Sequence, residues 1–193
     1  MEHQLIIDSL NKHINLSSQE QKCLMDKLLI KKIKKKQFFL HEKQIAKETA
    51  YVLNGCLRSY SIDNNGFEHV LQFAPQGWWI TDMYSFISQK EGYLNIDALE
   101  DTEVLLLTRE SQLALFDHLP QLERYFRILT EKALVSNQQR LMDNLSLTAK
   151  QRYRNFCKTY PTLINVLPQK QIASYIGVTP EFLSKMRSNL KSE

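Results

Sequence analysis

The spacing of apolar residues divides the chain into stretches of different period. Residues 3–30 follow helical spacing. Leu5, Ile6 and Leu10 share one face, and Ser17 with Glu20 forms a capping box for a second helix carrying Cys23, Leu24, Leu28 and Leu29 on its apolar side. From about residue 36 the pattern changes to short strands. The candidates are Phe38–Leu40, Ala50–Leu53, Leu57–Ile62, His69–Phe73, Leu94–Leu99 and Glu103–Leu107. Asn64-Asn65-Gly66 stands between two of them, and Asn-Gly adopts the positive φ angles that a tight hairpin turn needs. Short strands separated by turns predict an antiparallel sandwich or jelly roll.

Helical spacing returns from Ser111 to about Asn144, with Pro120 dividing a short helix from a long one. Along the long helix Leu122, Phe126, Leu129 and Ala133 alternate steps of four and three. That narrow seam suits a partner helix; the alternative is a helix packed on the chain's own sheet. The stripe turns polar at Ser136–Gln139 and resumes at Leu141 and Leu145. Beyond residue 146 helices dominate. Thr148 and Gln151 form another capping box, and Pro161 and Pro168 both suit a first helical turn.

The most specific stretch is QKQIASYIGVTPEFLSKMR, residues 169–187. After Pro168, the positions Ile172, Ala173 and Ile176 form an inward face. Gly177 follows where a left-handed residue ends a helix. Thr179 can cap the next helix, Pro180 fits its first position, and Leu183, Met186 and Leu190 face inward. This is the punctuation of a helix-turn-helix. Its outward face carries Glu181, Ser184, Lys185, Arg187 and Ser188, residue types that reach base edges and phosphates from the major groove.

Charge sharpens the picture. Residues 1–146 hold 17 Lys and Arg against 19 Asp and Glu, whereas residues 147–193 hold 8 against 2, a net of +6. A basic module beside a near-neutral one fits nucleic-acid binding. The run from Lys31 to Lys36 has five lysines in six residues and reads as an edge-strand surface that resists aggregation. Cys23, Cys56 and Cys157 are far apart and form no C-x-x-C, so buried free thiols and a cytoplasmic location are expected. No secretory leader is visible, and no apolar run approaches the roughly 18 residues of a membrane helix, so no membrane partner is expected. The histidines are scattered, and Glu68-His69 lacks the second histidine a cupin-type metal site needs. No metal, cofactor or enzyme activity is expected.

The chain resembles the Crp/Fnr transcription factors, the family of the cAMP receptor protein and the fumarate–nitrate regulator. The resemblance runs from about residue 20 onward. It is carried by IASYIGVTPEFLSKMR at 172–187, AKQRYRNFCKTYP at 149–161, LQFAPQGWWITDMYSF at 71–86 and ALED at 98–101. It implies an α+β chain in three parts: a cyclic-nucleotide-binding-like β jelly roll over residues 1–118, a long dimerisation helix over 119–146, and an all-α helix-turn-helix domain over 147–193. It implies a homodimeric regulator that binds a near-palindromic site on double-stranded DNA, with RNA polymerase and a small-molecule effector as further partners. The recognition helix would run from Thr179 to about Leu190, with Pro180, Glu181 and Lys185 at the main contact positions. Gln169, Lys170, Arg187 and Ser188 would add phosphate and flanking contacts.

The chain also departs from that family. Members that bind cAMP hold the ribose with a Gly-Glu pair and neutralise the phosphate with an Arg-Ser/Thr-Ala stretch. Here those positions read Thr81-Asp82 and Gly92-Tyr93-Leu94, with no arginine, which predicts weak or no cAMP binding. Phe73, Trp78, Trp79, Tyr84 and Phe86, with Asp82, are instead candidates for a pocket taking a flat apolar effector, or simply core. A C-terminal β-hairpin wing is expected to be missing. The alternative is a small-molecule sensor whose helical tail binds protein rather than DNA.

Overall fold

The computed structural model describes residues 3–191. Two short helices, α1 (Gln4–Asn11) and α2 (Ser18–Met25), precede the strands β1 (Leu29–Ile33), β2 (Phe38–Leu40), β3 (Glu48–Asn54), β4 (Cys56–Ile62), β5 (Glu68–Pro75) and β6 (Trp79–Ile80). Helix α3 (Met83–Ser88), β7 (Asn95–Ala98) and β8 (Thr102–Thr108) follow. The helices α4 (Arg109–His118), α5 (Pro120–Ser146), α6 (Ala149–Thr159), α7 (Gln169–Ile176) and α8 (Pro180–Lys191) complete the order.

The strands form two four-stranded sheets, β1-β8-β3-β6 and β2-β7-β4-β5. Their inner faces share one apolar cluster, with Ala50, Val52, Val104 and Leu106 from one sheet and Leu57, Ile96 and Ala98 from the other. The alternate residues Tyr51, Leu53, Leu105 and Leu107 point the other way, onto Ile6, Leu10, Leu24, Leu115 and Leu122 of the helices. With both faces of β8 covered, Val104–Leu107 is a continuous apolar run rather than an alternating one.

Both capping boxes form as expected, Ser17 with Glu20 and Thr148 with Gln151. The hairpin at Asn64-Asn65-Gly66 forms too, but only Gly66 is left-handed, with φ +80°. Asp63 accepts from the N–H groups of Asn65, Gly66 and Phe67, so the loop is a turn closed by one left-handed residue rather than a two-residue Asn-Gly turn.

Three expectations are corrected. The second helix stops at Met25, and Leu29 opens β1, whose residues pair antiparallel with β8 from Leu29–Leu106 to Ile33–Thr102. Pairing to a neighbouring strand overrides the helical spacing there. The lysine run does fall on and just after this edge strand. Pro161 begins a series of turns rather than a helix, anchored by buried Leu163 and Leu167. Of the three cysteines, which are all free, only Cys56 is fully buried; Cys23 and Cys157 are half-buried. Burial pushes the Cys56 thiol up to about 12.

The chain divides into two compact units, residues 1–61 with 71–131 and residues 62–70 with 132–193. In the first, Leu122 is fully buried, and Phe126 and Leu129 pack on the same cluster. Three of the four positions expected to face a partner helix therefore lie against the protomer's own sheet, while Ala133 is exposed. In the second unit the apolar residues of α5 have no such cover: Leu134, Val135, Leu141, Met142 and Leu145 are all exposed. The side chain of Leu190 lies outside the described residues. Among the described residues no helix is long and apolar enough to cross a membrane.

Candidate nucleic-acid interface

The second unit builds its candidate interface on three helices. Ile172, Ala173 and Ile176 of α7 are buried, as is Leu183 of α8. Ala173 contributes only a methyl group, which lets the helices approach closely. Gly177 takes φ +71° and ends α7, with the Val178 N–H donating to Ala173 O at 3.0 Å. Thr179 Oγ1 then accepts from the Phe182 N–H at 3.2 Å and caps α8. From α6, Arg152 Nε donates to Ile176 O at 2.8 Å, satisfying a carbonyl at the α7 terminus. Phe156, Tyr160 and Tyr175 pack ring against ring beneath. In the same unit, Ser174 Oγ accepts from the Val70 N–H, and Arg140 donates to both Val70 O and Tyr175 O.

The outer face of α8 carries a shallow open hollow lined by Pro180, Glu181, Ser184, Lys185, Ser188 and Asn189. Five of these were expected from the sequence. Asn189 was not, although its four-residue step from Lys185 puts it on the same face. Thr179, Gln169 and Lys170 are exposed. Arg187 departs from the group: its guanidinium lies 5.9 Å from the Tyr153 ring of α6, half-buried. Burial raises the Tyr153 phenol above its ordinary value.

The aromatic residues suggested for an effector pocket lie in different settings. Phe86 belongs to the cluster between the sheets, with the Arg109 guanidinium over its ring. Trp79 lies on the opposite face of its sheet, against Tyr51 and Phe126, and donates through Nε1 to Tyr125 Oη. Phe73 is fully buried, while Trp78 and Tyr84 are exposed. Asp82 is buried and closed by hydrogen bonds. Its Oδ1 accepts from the Ser85 N–H at 3.1 Å, and its Oδ2 from the Tyr93 and Leu94 N–H groups at 3.0 and 3.1 Å. Sequence reasoning missed Arg58 and Asp97. They form a buried two-point ion pair of 2.8 and 2.9 Å, with the guanidinium 4.1 Å from the Tyr60 ring. An arginine within a predicted strand, between Leu57 and Ser59, was the available signal.

Comparison with known proteins bears on both units. Residues 30–118 match the cyclic nucleotide-binding domain family. No curated protein matches the chain in sequence. Among solved structures it is similar to the c-di-GMP-responsive global regulator CLP of Xanthomonas campestris, at 12% identity over 91% of this chain and 92% of that one, with a TM-score of 0.73. FixK2 of Bradyrhizobium japonicum is 22% identical over 86% and 85%, with a TM-score of 0.74. The catabolite activator protein of Thermus thermophilus is 22% identical over 95% and 87%, with a TM-score of 0.61. Residues 30–118 thus match the cyclic nucleotide-binding domain family, and the chain has the fold of the Crp/Fnr regulators.

Proposed function

We infer that the chain is a homodimeric, sequence-specific DNA-binding transcription regulator, with an effector other than cAMP. The observation that carries this reading is the outer face of α8. A helix capped at Thr179 and seated on Leu183 presents Glu181, Ser184, Lys185, Ser188 and Asn189 together to solvent. In the major groove, Glu181 accepts from a cytosine amino group, and Lys185 donates to guanine or phosphate. Gln169 and Lys170, at the start of α7, reach the backbone, as does the net +6 of the last 47 residues.

The exposed apolar residues of α5 support a second copy as partner. Leu134 and Leu141 are seven residues apart, as are Val135 and Met142, and Leu145 follows Leu141 by four. That is the repeat of a two-helix seam. Two copies joined there would read half-sites about 34 Å apart, hence a near-palindrome.

The test is selection of bound sequences from random double-stranded DNA, followed by titration of the winner at rising salt. The reading requires a near-palindromic consensus and affinity that falls steeply with salt. If Glu181→Ala and Lys185→Ala leave both affinity and consensus unchanged, α8 is not the recognition helix. Retention of a protein but of no DNA at physiological salt would favour the tail as a protein-binding module.

A further inference from the structure

The loop that follows α3 is tied down at nearly every residue. Gln89 is left-handed, with φ 55°. Ser85 Oγ accepts from the Ala46 N–H at 2.8 Å and donates to Lys90 O. Gly92 donates to Gln44 O at 3.0 Å and accepts from the Lys43 N–H at 2.8 Å. The next two N–H groups, of Tyr93 and Leu94, converge on one oxygen of Asp82. Adjacent backbone N–H groups aimed at one point form an anion-binding nest. Here the anion is a side chain of the chain itself, only 2% exposed. Gly92 fits closely over it: a Cβ there would run into the Asp82 carboxylate and the Ser85 side chain.

The other buried charges of this unit are closed in the same manner. Among the described residues Arg58 is the buried cation, and its guanidinium makes two bonds to Asp97. An external anion would therefore have to displace Asp82 from three hydrogen bonds. It would find the buried cation already bound to a carboxylate, and stripping a buried charge of its partners is strongly unfavourable.

We propose that Asp82 is a permanent internal ligand of the 89–94 loop: its carboxylate fills the nest of the Tyr93 and Leu94 N–H groups and closes it to outside anions, and a small monocarboxylate takes that place when the side chain is removed. This deepens the effector part of the reading above and does not depend on DNA binding. A charged phosphate is excluded here by occupancy, not only by the lack of an arginine.

The experiment follows thermal unfolding of wild type, Asp82→Ala and Asp82→Asn with acetate, inorganic phosphate, cAMP, and chloride at matched ionic strength. Wild type should give no saturable shift with acetate or phosphate. Asp82→Ala should melt lower in chloride and recover along a saturating curve in acetate. At ten times its Kd, acetate should raise the folded-to-unfolded ratio about tenfold. Asp82→Asn, whose amide still fills the space, should melt lower without an acetate response. If Asp82→Ala folds only with acetate, the proposal stands. An acetate response no larger than that of chloride overturns it.

Amide hydrogen exchange in the wild type supplies a readout that needs no variant. The Tyr93 and Leu94 N–H groups should be protected, and exchange as fast as an open loop would overturn the proposal. A saturable wild-type shift with cAMP that leaves those two amides protected would instead sink only the effector reading.

Discussion

Arg58 and Lys185 carry the same charge in opposite settings. Arg58 sits in β4 at 6% exposure, bound at two points by Asp97 and stacked on Tyr60. Lys185 stands in water on the outer face of α8, beside Glu181 and Asn189. The contrast extends to the two units. In the jelly-roll unit, polar groups turn inward and meet one another: Asp82 takes three N–H groups, Thr102 Oγ1 accepts from the Cys56 N–H, and Tyr125 joins Ser9 and Trp79. In the C-terminal unit, apolar and aromatic packing with a few side-chain bonds to backbone, such as Arg152 to Ile176 O, holds the helices together, and Glu181, Ser184 and Lys185 of α8 face solvent. A charge closed on an internal partner fixes a fold, whereas a charge held on a rigid but exposed face can serve an external one.

The largest effect expected from breaking this contrast is on Arg58. Arg58→Ala leaves Asp97 buried without its cation and should cost about 3–5 kcal/mol in urea denaturation. Replacing both partners with apolar residues of similar size should return most of that loss. Next, Leu183→Ala removes the fully buried anchor of α8 and should cost about 2–5 kcal/mol. It should abolish DNA binding by unseating the helix.

Lys185→Ala sharpens the distinction, because its stability should stay within about 0.5 kcal/mol of wild type. Its affinity for the selected DNA should fall by about 1–3 kcal/mol, or if it contacts only phosphate, fall evenly across sequences with a shallower salt slope. Leu141→Lys should leave the protomer folded while shifting sedimentation from dimer to monomer, and DNA affinity should fall with it.

The smallest effects lie with pH. Burial raises the Cys56 thiol to about 12 from an ordinary 9.0. The neutral thiol's contribution is whole below pH 9.0 and should be lost as pH climbs toward 12. In the native protein Cys56 should also resist thiol reagents that modify Cys23 and Cys157. At the acid end, hydrogen bonds from His69 to Asp63 and from Lys34 to Asp101 hold both carboxyls below 3.8. Their contribution is present above that value and disappears as pH falls through the lowered one. Because both groups lie at the surface, Lys34→Ala should barely move the acid midpoint.

Much of the fold is legible in the residues. Six strands, both capping boxes and the break at Pro120 follow from spacing and local chemistry that act within a few residues. The same holds for the end of α7 at Gly177 and the cap of α8 at Thr179. The outer face of α8 is legible for the same reason, since a 3.6-residue period places Glu181, Ser184, Lys185 and Ser188 together once the helix is known. The misread pieces depend on distant partners. β1 exists because β8 pairs with it, and the two-residue β6 because Ala50 and Tyr51 pair with Ile80 and Trp79.

Asp82 shows the limit most clearly. One of its partners is local: as the N-cap of α3 it accepts from the Ser85 N–H three residues on. The other two are backbone N–H groups 11 and 12 residues away, and every residue but proline carries one. Leu122 and Leu141 show the same limit on one helix: they share an apolar stripe, but the first is covered by the protomer's own sheet and the second is exposed. Local chemistry in the sequence determined where helices begin and end, which residues alternate and which face of α8 is polar. Tertiary structure alone decided which charges are closed and which apolar residues remain open, because burial and long-range hydrogen bonds arise only when distant segments meet.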